Sequence, residues 1–134
     1  MKIYVAGKFE NKTEVLDIYK TLEKMGHTIS YNWTAHKNLK PYVDNQKAAS
    51  EYAQNEFNGI LDSDVFIFLS NQDGHTLFME FGAALASLKL TGTPLIFAVG
   101  ESNADSQWFF NPLVKRVDSV DEVIKLISHD KIKL

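Results

Sequence analysis

The chain has 134 residues, 45% hydrophobic and 23% charged, with a net charge of −3 and no cysteine. That is the make-up of one ordinary globular domain, taken here as residues 1–134. The mild acidity argues against a dedicated nucleic-acid binder, and the lack of cysteine removes disulfides, thiolate metal sites and a cysteine nucleophile. No stretch is long and apolar enough for a transmembrane helix, and the opening "MKIYVAGKFE" lacks the apolar core of a signal peptide. A cytoplasmic protein with no membrane partner is the expectation.

"KIYVAG" is β-branched and apolar and reads as a buried first strand ending at Gly7. "TEVLDIYKTLEKMG" follows with Val15, Leu16, Tyr19 and Leu22 at helical spacing and Gly26 as its stop. "HTISYNW" is a second strand. A polar, irregular stretch over 34–46 leads into a second helix, "NQKAASEYAQNEFNGIL". "SDVFIFLS" is nearly all apolar, as in a strand covered on both faces. "LFMEFGAALASLKL" is a third helix and "TPLIFAVG" another buried strand. A loop, "ADSQWFFNP", precedes a weak last strand, "LVKRVD". The final helix, "SVDEVIKLI", opens with a capping box of Ser119 and Glu122. Strands alternating with helices predict an α/β fold: a doubly wound, flavodoxin-like parallel sheet of five strands with helices on both faces.

In such folds ligands bind beyond the carboxyl ends of the strands. The loops there are "AGKFENK", "NWTAHKN", "SNQDGHT" and "GESNADSQWFFN". Phe9, Trp33 and Trp108 place aromatic rings in or near them, suited either to closing the core or to stacking on a flat ligand. "AGKFENK" is not a phosphate-binding glycine motif, so Lys8 and Lys12 read as surface charges. His36 and His75 lie in loops, and no histidine pair has metal-ligand spacing, so neither metal nor cofactor is expected.

One carboxylate stands out. Glu80 sits among apolar residues in "HTLFMEFGAALA". A buried carboxylate must be paired, exposed or functional. Its expected place is the first turn of its helix, pointing into the ligand mouth, with Gly82 letting the helix sit close. Complementing the helix dipole is the competing role.

"KIYVAG", "NEFNGILDSDVFIFL", "DGHTLFMEFGAALA" and "TPLIFAV" occur in an order that resembles the nucleoside 2-deoxyribosyltransferases. The related 2′-deoxynucleoside 5′-phosphate N-glycosidases share it. The resemblance implies that Glu80 is the nucleophile, that Tyr4 holds it, and that Glu56 is the acid near the leaving base. It implies that Asp64 and Asp73 serve substrate binding, the latter at the sugar hydroxyls, and that Asn111 reaches a neighbouring subunit's site. Gly7, Phe9, Trp33 and His75 complete the candidate binding residues. Two departures stand out: Glu replaces the usual Asp at 56, and the loop before Glu80 carries bulky Leu77 and Phe78.

Breaking a bond between sugar and base passes through an oxocarbenium-like transition state. It needs one carboxylate at the anomeric carbon and one acid for the leaving base. A Tyr4 hydrogen bond is expected to lower the Glu80 pKa and keep it ionised. Phe57 and Ile60 are expected to keep Glu56 dry. The reading is an enzyme that cleaves the N-glycosidic bond of a nucleoside or nucleotide and passes the sugar to a base or to water, with a slight lean to unphosphorylated nucleosides. A homo-oligomer is expected. A non-catalytic module binding a nucleotide-derived ligand, and a glycohydrolase acting on NAD, are the alternatives.

Overall fold

A computed structural model describes residues 1–128. Its strands are β1 (Lys2–Ala6), β2 (Thr28–Ile29), β3 (Val65–Leu69), β4 (Leu95–Val99) and β5 (Val114–Val117). Its helices are α1 (Lys12–Lys24), α2 (Gln46–Leu61), α3 (His75–Thr91) and α4 (Val120–Ser128). The strands form one parallel sheet in the order β2-β1-β3-β4-β5. α2 and α3 pack together on one face, while α1 and α4 flank a common cleft on the other. This is the doubly wound arrangement that the alternation predicts. Among the described residues, no helix is long and apolar enough to cross a membrane.

The central strands are buried on both faces, which is why they are apolar without alternation. Tyr4, Phe66 and Phe68 point toward α2 and α3, with the Tyr4 and Phe66 rings stacked 5.7 Å apart. No helix links β4 to β5. A 3-10 turn, Gln107–Phe110, takes that place and drives Phe109 against Phe68 and Phe81 at 5.5 and 5.1 Å.

Local departures have physical causes. β2 is two residues long, not seven: the chain leaves the sheet after Ile29 and winds into a 3-10 turn at Trp33–Ala35. The outer edge of β1 then lacks a neighbouring strand near Val5, and the Trp33 indole N–H donates to the Val5 carbonyl at 2.7 Å. On α1 the buried stripe is Val15, Ile18, Tyr19 and Leu22, and Leu16 faces solvent. Gly26 adopts φ +90° just past the helix, as its stop role requires. Ser119 accepts from the Glu122 amide at 3.3 Å, forming one half of the capping box.

Candidate active site

Tyr4 lies inside β1 and is fully buried. Its hydroxyl donates to Glu80 Oε1 at 2.7 Å. Glu80 is the sixth residue of α3, so it lies in the second turn, not the first. The dipole effect fades within one turn, which removes helix complementation as the reason for this carboxylate. Gly82 is not a packing requirement either, since a Cβ there would meet nothing within 4 Å.

The second carboxyl comes from α2. Its inward stripe runs through Tyr52, Glu56, Gly59 and Ile60, at the spacing that places residues on one helical face. Gly59 is where α2 meets the sheet: a Cβ would lie 2.6 Å from that of Tyr31 and 3.3 Å from the Tyr4 ring. Glu56 therefore sits one turn above the point where α2 touches the Tyr4 ring. Ile60 is buried beside it, but Phe57 is half exposed and does not enclose it.

Burial dominates the electrostatics. Desolvation lifts the Glu80 carboxyl from 4.5 to about 8; the Tyr4 bond pulls it down, and the Glu56 charge pushes it up. Desolvation lifts Glu56 from 4.5 to about 7. The expectation that Tyr4 keeps Glu80 ionised is therefore overturned. One hydrogen bond acts in the expected direction, but withdrawal from water outweighs it. Near neutral pH the two carboxyls together hold between one and two protons. Tyr4 is itself raised well above 10, first by burial and then by the Glu80 charge. Tyr19, on α1, is buried with no partner for its hydroxyl among the described residues, and the Glu80 charge adds to burial in raising it.

The other candidates separate into groups. Gly7 and Asp73 lie in the connections after β1 and β3, at the carboxyl edge of the sheet; Phe9 opens a 3-10 turn there, and His75 is not a loop residue but the first residue of α3. A Cβ on Gly7 would crowd Val15 and Leu69 at 3.1 and 3.2 Å, so only glycine fits without displacing them. Lys8 and Asp73 join the two loops at 3.4 Å. Phe9 is 40% exposed and lies under the Lys12 ammonium. Trp33 is not a free rim ring: it is buried with its indole N–H bound to β1.

Asp64 is at the wrong end. It precedes β3, and its carboxylate accepts from the Lys2 amide at 2.8 Å, tying the amino ends of β1 and β3 together. Asn111 stands before the amino end of β5, where its side chain accepts from the Leu113 amide at 2.9 Å. Neither joins Glu80 within this chain.

A cleft of about 420 Å³ lies on the opposite face, lined by residues of α1, α4 and the ends of β3 and β4. Its side chains Glu14, Asp118 and Asp121 are acidic, and none of its lining polar groups is both buried and unpartnered. The perturbed carboxyl pair is the stronger candidate.

Sequence reasoning did not assign roles to Gly59, Tyr19, Tyr31 or Tyr52. The helical stripe of "EYAQNEFNGI" places Tyr52, Glu56 and Gly59 together and was the available signal.

No protein-family model and no curated protein matches the sequence. The fold is similar to that of the Clostridium botulinum CMP N-glycosidase BcmB. The TM-score is 0.61 at 15% sequence identity, covering 96% of this chain and 100% of that one. At that identity the likeness concerns the fold.

Proposed function

We propose that this chain cleaves the N-glycosidic bond of a nucleoside or nucleotide. The observation that carries the reading is the Tyr4–Glu80 hydrogen bond, buried beside a second raised carboxyl, Glu56. The fold shared with a CMP N-glycosidase and the ordered motifs around Glu80 support it. Glu56 in its acid form gives a proton to a ring nitrogen of the base. The carbon–nitrogen pair leaves with the base. The Glu80 carboxylate bonds to, or shields, the anomeric carbon, and water or a second base then takes the sugar. On this reading the connections carrying Gly7, Phe9 and Asp73, with His75 at the start of α3, line the entry for the sugar or its 5′ substituent.

A second copy of the chain completes the assembly on this reading. Trp108 and Phe110, 57% and 56% exposed, flank Asn111 and offer it an apolar surface. Sedimentation at micromolar concentration tests this, and a monomer is the contrary result.

The resting protonation of Glu80 favours one other reading, a module that binds a nucleotide-derived ligand without turnover. The two separate in a product scan. Nucleosides, deoxynucleosides, their 5′-monophosphates including CMP, and NAD are incubated with and without a free base and resolved by chromatography. Base release or exchange that disappears in Glu80→Ala supports the enzyme. Binding without turnover on any of them supports the module.

A further inference from the structure

Gly59 matters to the site for what it lacks. It is buried in α2, three residues past Glu56. A Cβ there would lie 2.6 Å from the Tyr31 Cβ, about 0.8 Å short of ordinary contact, and 3.3 Å from Cδ2 and Cε2 of Tyr4. Neither neighbour is free to retreat. Tyr31 is tied back to α2: its hydroxyl pairs with His36 Nε2, the His36 ring stacks on Tyr52 with centroids 3.7 Å apart, and the Lys37 amide donates to the Tyr52 hydroxyl at 3.2 Å. The Tyr4 ring is fully buried and stacks on Phe66 of the next strand at 5.7 Å. Its Cδ2–Cε2 edge leads to the hydroxyl that donates to Glu80 at 2.7 Å.

We infer that Gly59 is a positioning residue for Glu80: with Phe66 it forms a slot that fixes the Tyr4 ring and so aims the Tyr4 hydroxyl at the carboxyl. Its bearing on catalysis rests on the glycosidase reading; the slot itself does not. A Cβ at 59 must displace the ring edge by a few tenths of an ångström or push α2 off it. The hydroxyl lies beyond that edge, so the ring carries the displacement to it. An O–H···O bond weakens past about 3.0 Å, so a bond of 2.7 Å has little slack. The bond pulls the Glu80 carboxyl down, against burial and the Glu56 charge, and so favours its ionised form. On the proposed reading that ionised form faces the anomeric carbon. Gly59 touches neither the carboxyl nor the reacting carbon and acts through the ring.

The test uses the full chain with Gly59→Ala, Tyr4→Phe and the two combined. Carbon-13 glutamate labelling gives the Glu80 titration midpoint by NMR, its signal identified by its absence in Glu80→Gln. Gly59→Ala is expected to raise that midpoint. It is also expected to lower kcat about ten- to a hundredfold, the range of one hydrogen bond to a charged group, with KM little changed. In the Tyr4→Phe background the same substitution is expected to do neither. An unmoved midpoint or an unchanged kcat in folded Gly59→Ala would overturn the inference. So would effects that persist in full in the Tyr4→Phe background, since the glycine would then act through the packing of α2 alone. Should Gly59→Ala not fold, Phe66→Leu loosens the slot from its other wall. A raised midpoint that is absent in the Tyr4→Phe background then supports the slot, and an unmoved one overturns it. If the wild type turns over no substrate, the glycosidase reading itself fails, and the midpoints still decide the slot.

Discussion

The raised Glu80 carboxyl makes a thermodynamic demand that needs no substrate. An acid whose pKa is higher when folded binds its proton more tightly in the native state, so stability falls as pH rises from the unfolded value to the folded one. For Glu80 that interval runs from 4.5 to about 8. Burial lowers His27 and His36, which favours stability with rising pH, but only below their ordinary value of 6.5. From 6.5 to 9 the raised carboxyls dominate among the described residues. Between pH 6.5 and 8 Glu80 remains protonated when folded and is ionised when unfolded, which is worth roughly 2 kcal/mol at 1.36 kcal/mol per pH unit. Glu56 adds a smaller loss that ends near 7. Urea unfolding at pH 6.5, 7, 7.5, 8 and 9 measures this directly. Glu80→Gln keeps an acceptor for the Tyr4 hydroxyl and cannot ionise, so its profile is expected to lose most of the slope. A flat wild-type profile, or an unchanged slope in Glu80→Gln, would refute the argument from burial.

Tyr4→Phe removes the donor to Glu80. Its stability loss is expected to be about 1 kcal/mol at pH 6.5 and larger at pH 9, where the bond serves a charged acceptor; equal losses at both would contradict this. Gly59→Ala forces a Cβ to within 2.6 Å of Tyr31, and a loss of roughly 1–3 kcal/mol is expected despite the better helix former. Gly82→Ala meets nothing and is expected to gain about 0.5–1 kcal/mol, so chemical denaturation of the two variants should give opposite signs. Tyr19→Phe deletes a buried hydroxyl without a partner among the described residues and is expected to leave the Tm equal or higher. A loss above about 1 kcal/mol would mean that the hydroxyl is paired in solution.

The alternation of apolar strands with patterned helices was enough to read the sheet, because strands buried on both faces carry their own signature in "VFIFL" and "LIFAV". β2 was overread. "HTISYNW" has strand-like residues throughout, but Trp33 makes a better contact by capping β1 than by extending an edge. The pairing of Tyr4 with Glu80 joins residues far apart in sequence, and only the family resemblance pointed to it. Asp64 opens the third strand, as its place before "VFIFL" indicates, and its substrate-binding role came only from the family resemblance. The Lys2 amide that it binds fixes it to the amino edge of the sheet, opposite the carboxyl edge where such folds bind ligands. The size of the Glu80 shift was out of reach of the sequence, since desolvation depends on how closely α3 and the sheet enclose the carboxyl.

A carboxyl that is mostly protonated at pH 7 looks unsuited to meeting a cation, and the magnitudes decide whether that matters. With its midpoint near 8, Glu80 is ionised in about one molecule in ten at pH 7, so selecting the charged form costs about 1.4 kcal/mol. On the proposed reading, positive charge grows at the anomeric carbon as the base departs. A unit charge 4 Å from a carboxylate at an effective dielectric constant of 20 gains about 4 kcal/mol. The gain exceeds the cost even when only part of the charge has developed, and it exists only on the way to the transition state. A carboxyl held neutral at rest and ionised by the reaction it serves binds that state better than the ground state, which is the differential that accelerates a reaction. The same argument places the proton: it must move to Glu56 or to the base as Glu80 ionises. With Glu56 at about 7 and Glu80 at about 8, the rate should climb toward pH 7, peak between 7 and 8, and fall above 8. A pH–rate profile that is flat between 6 and 9 would separate Glu80 from the chemistry.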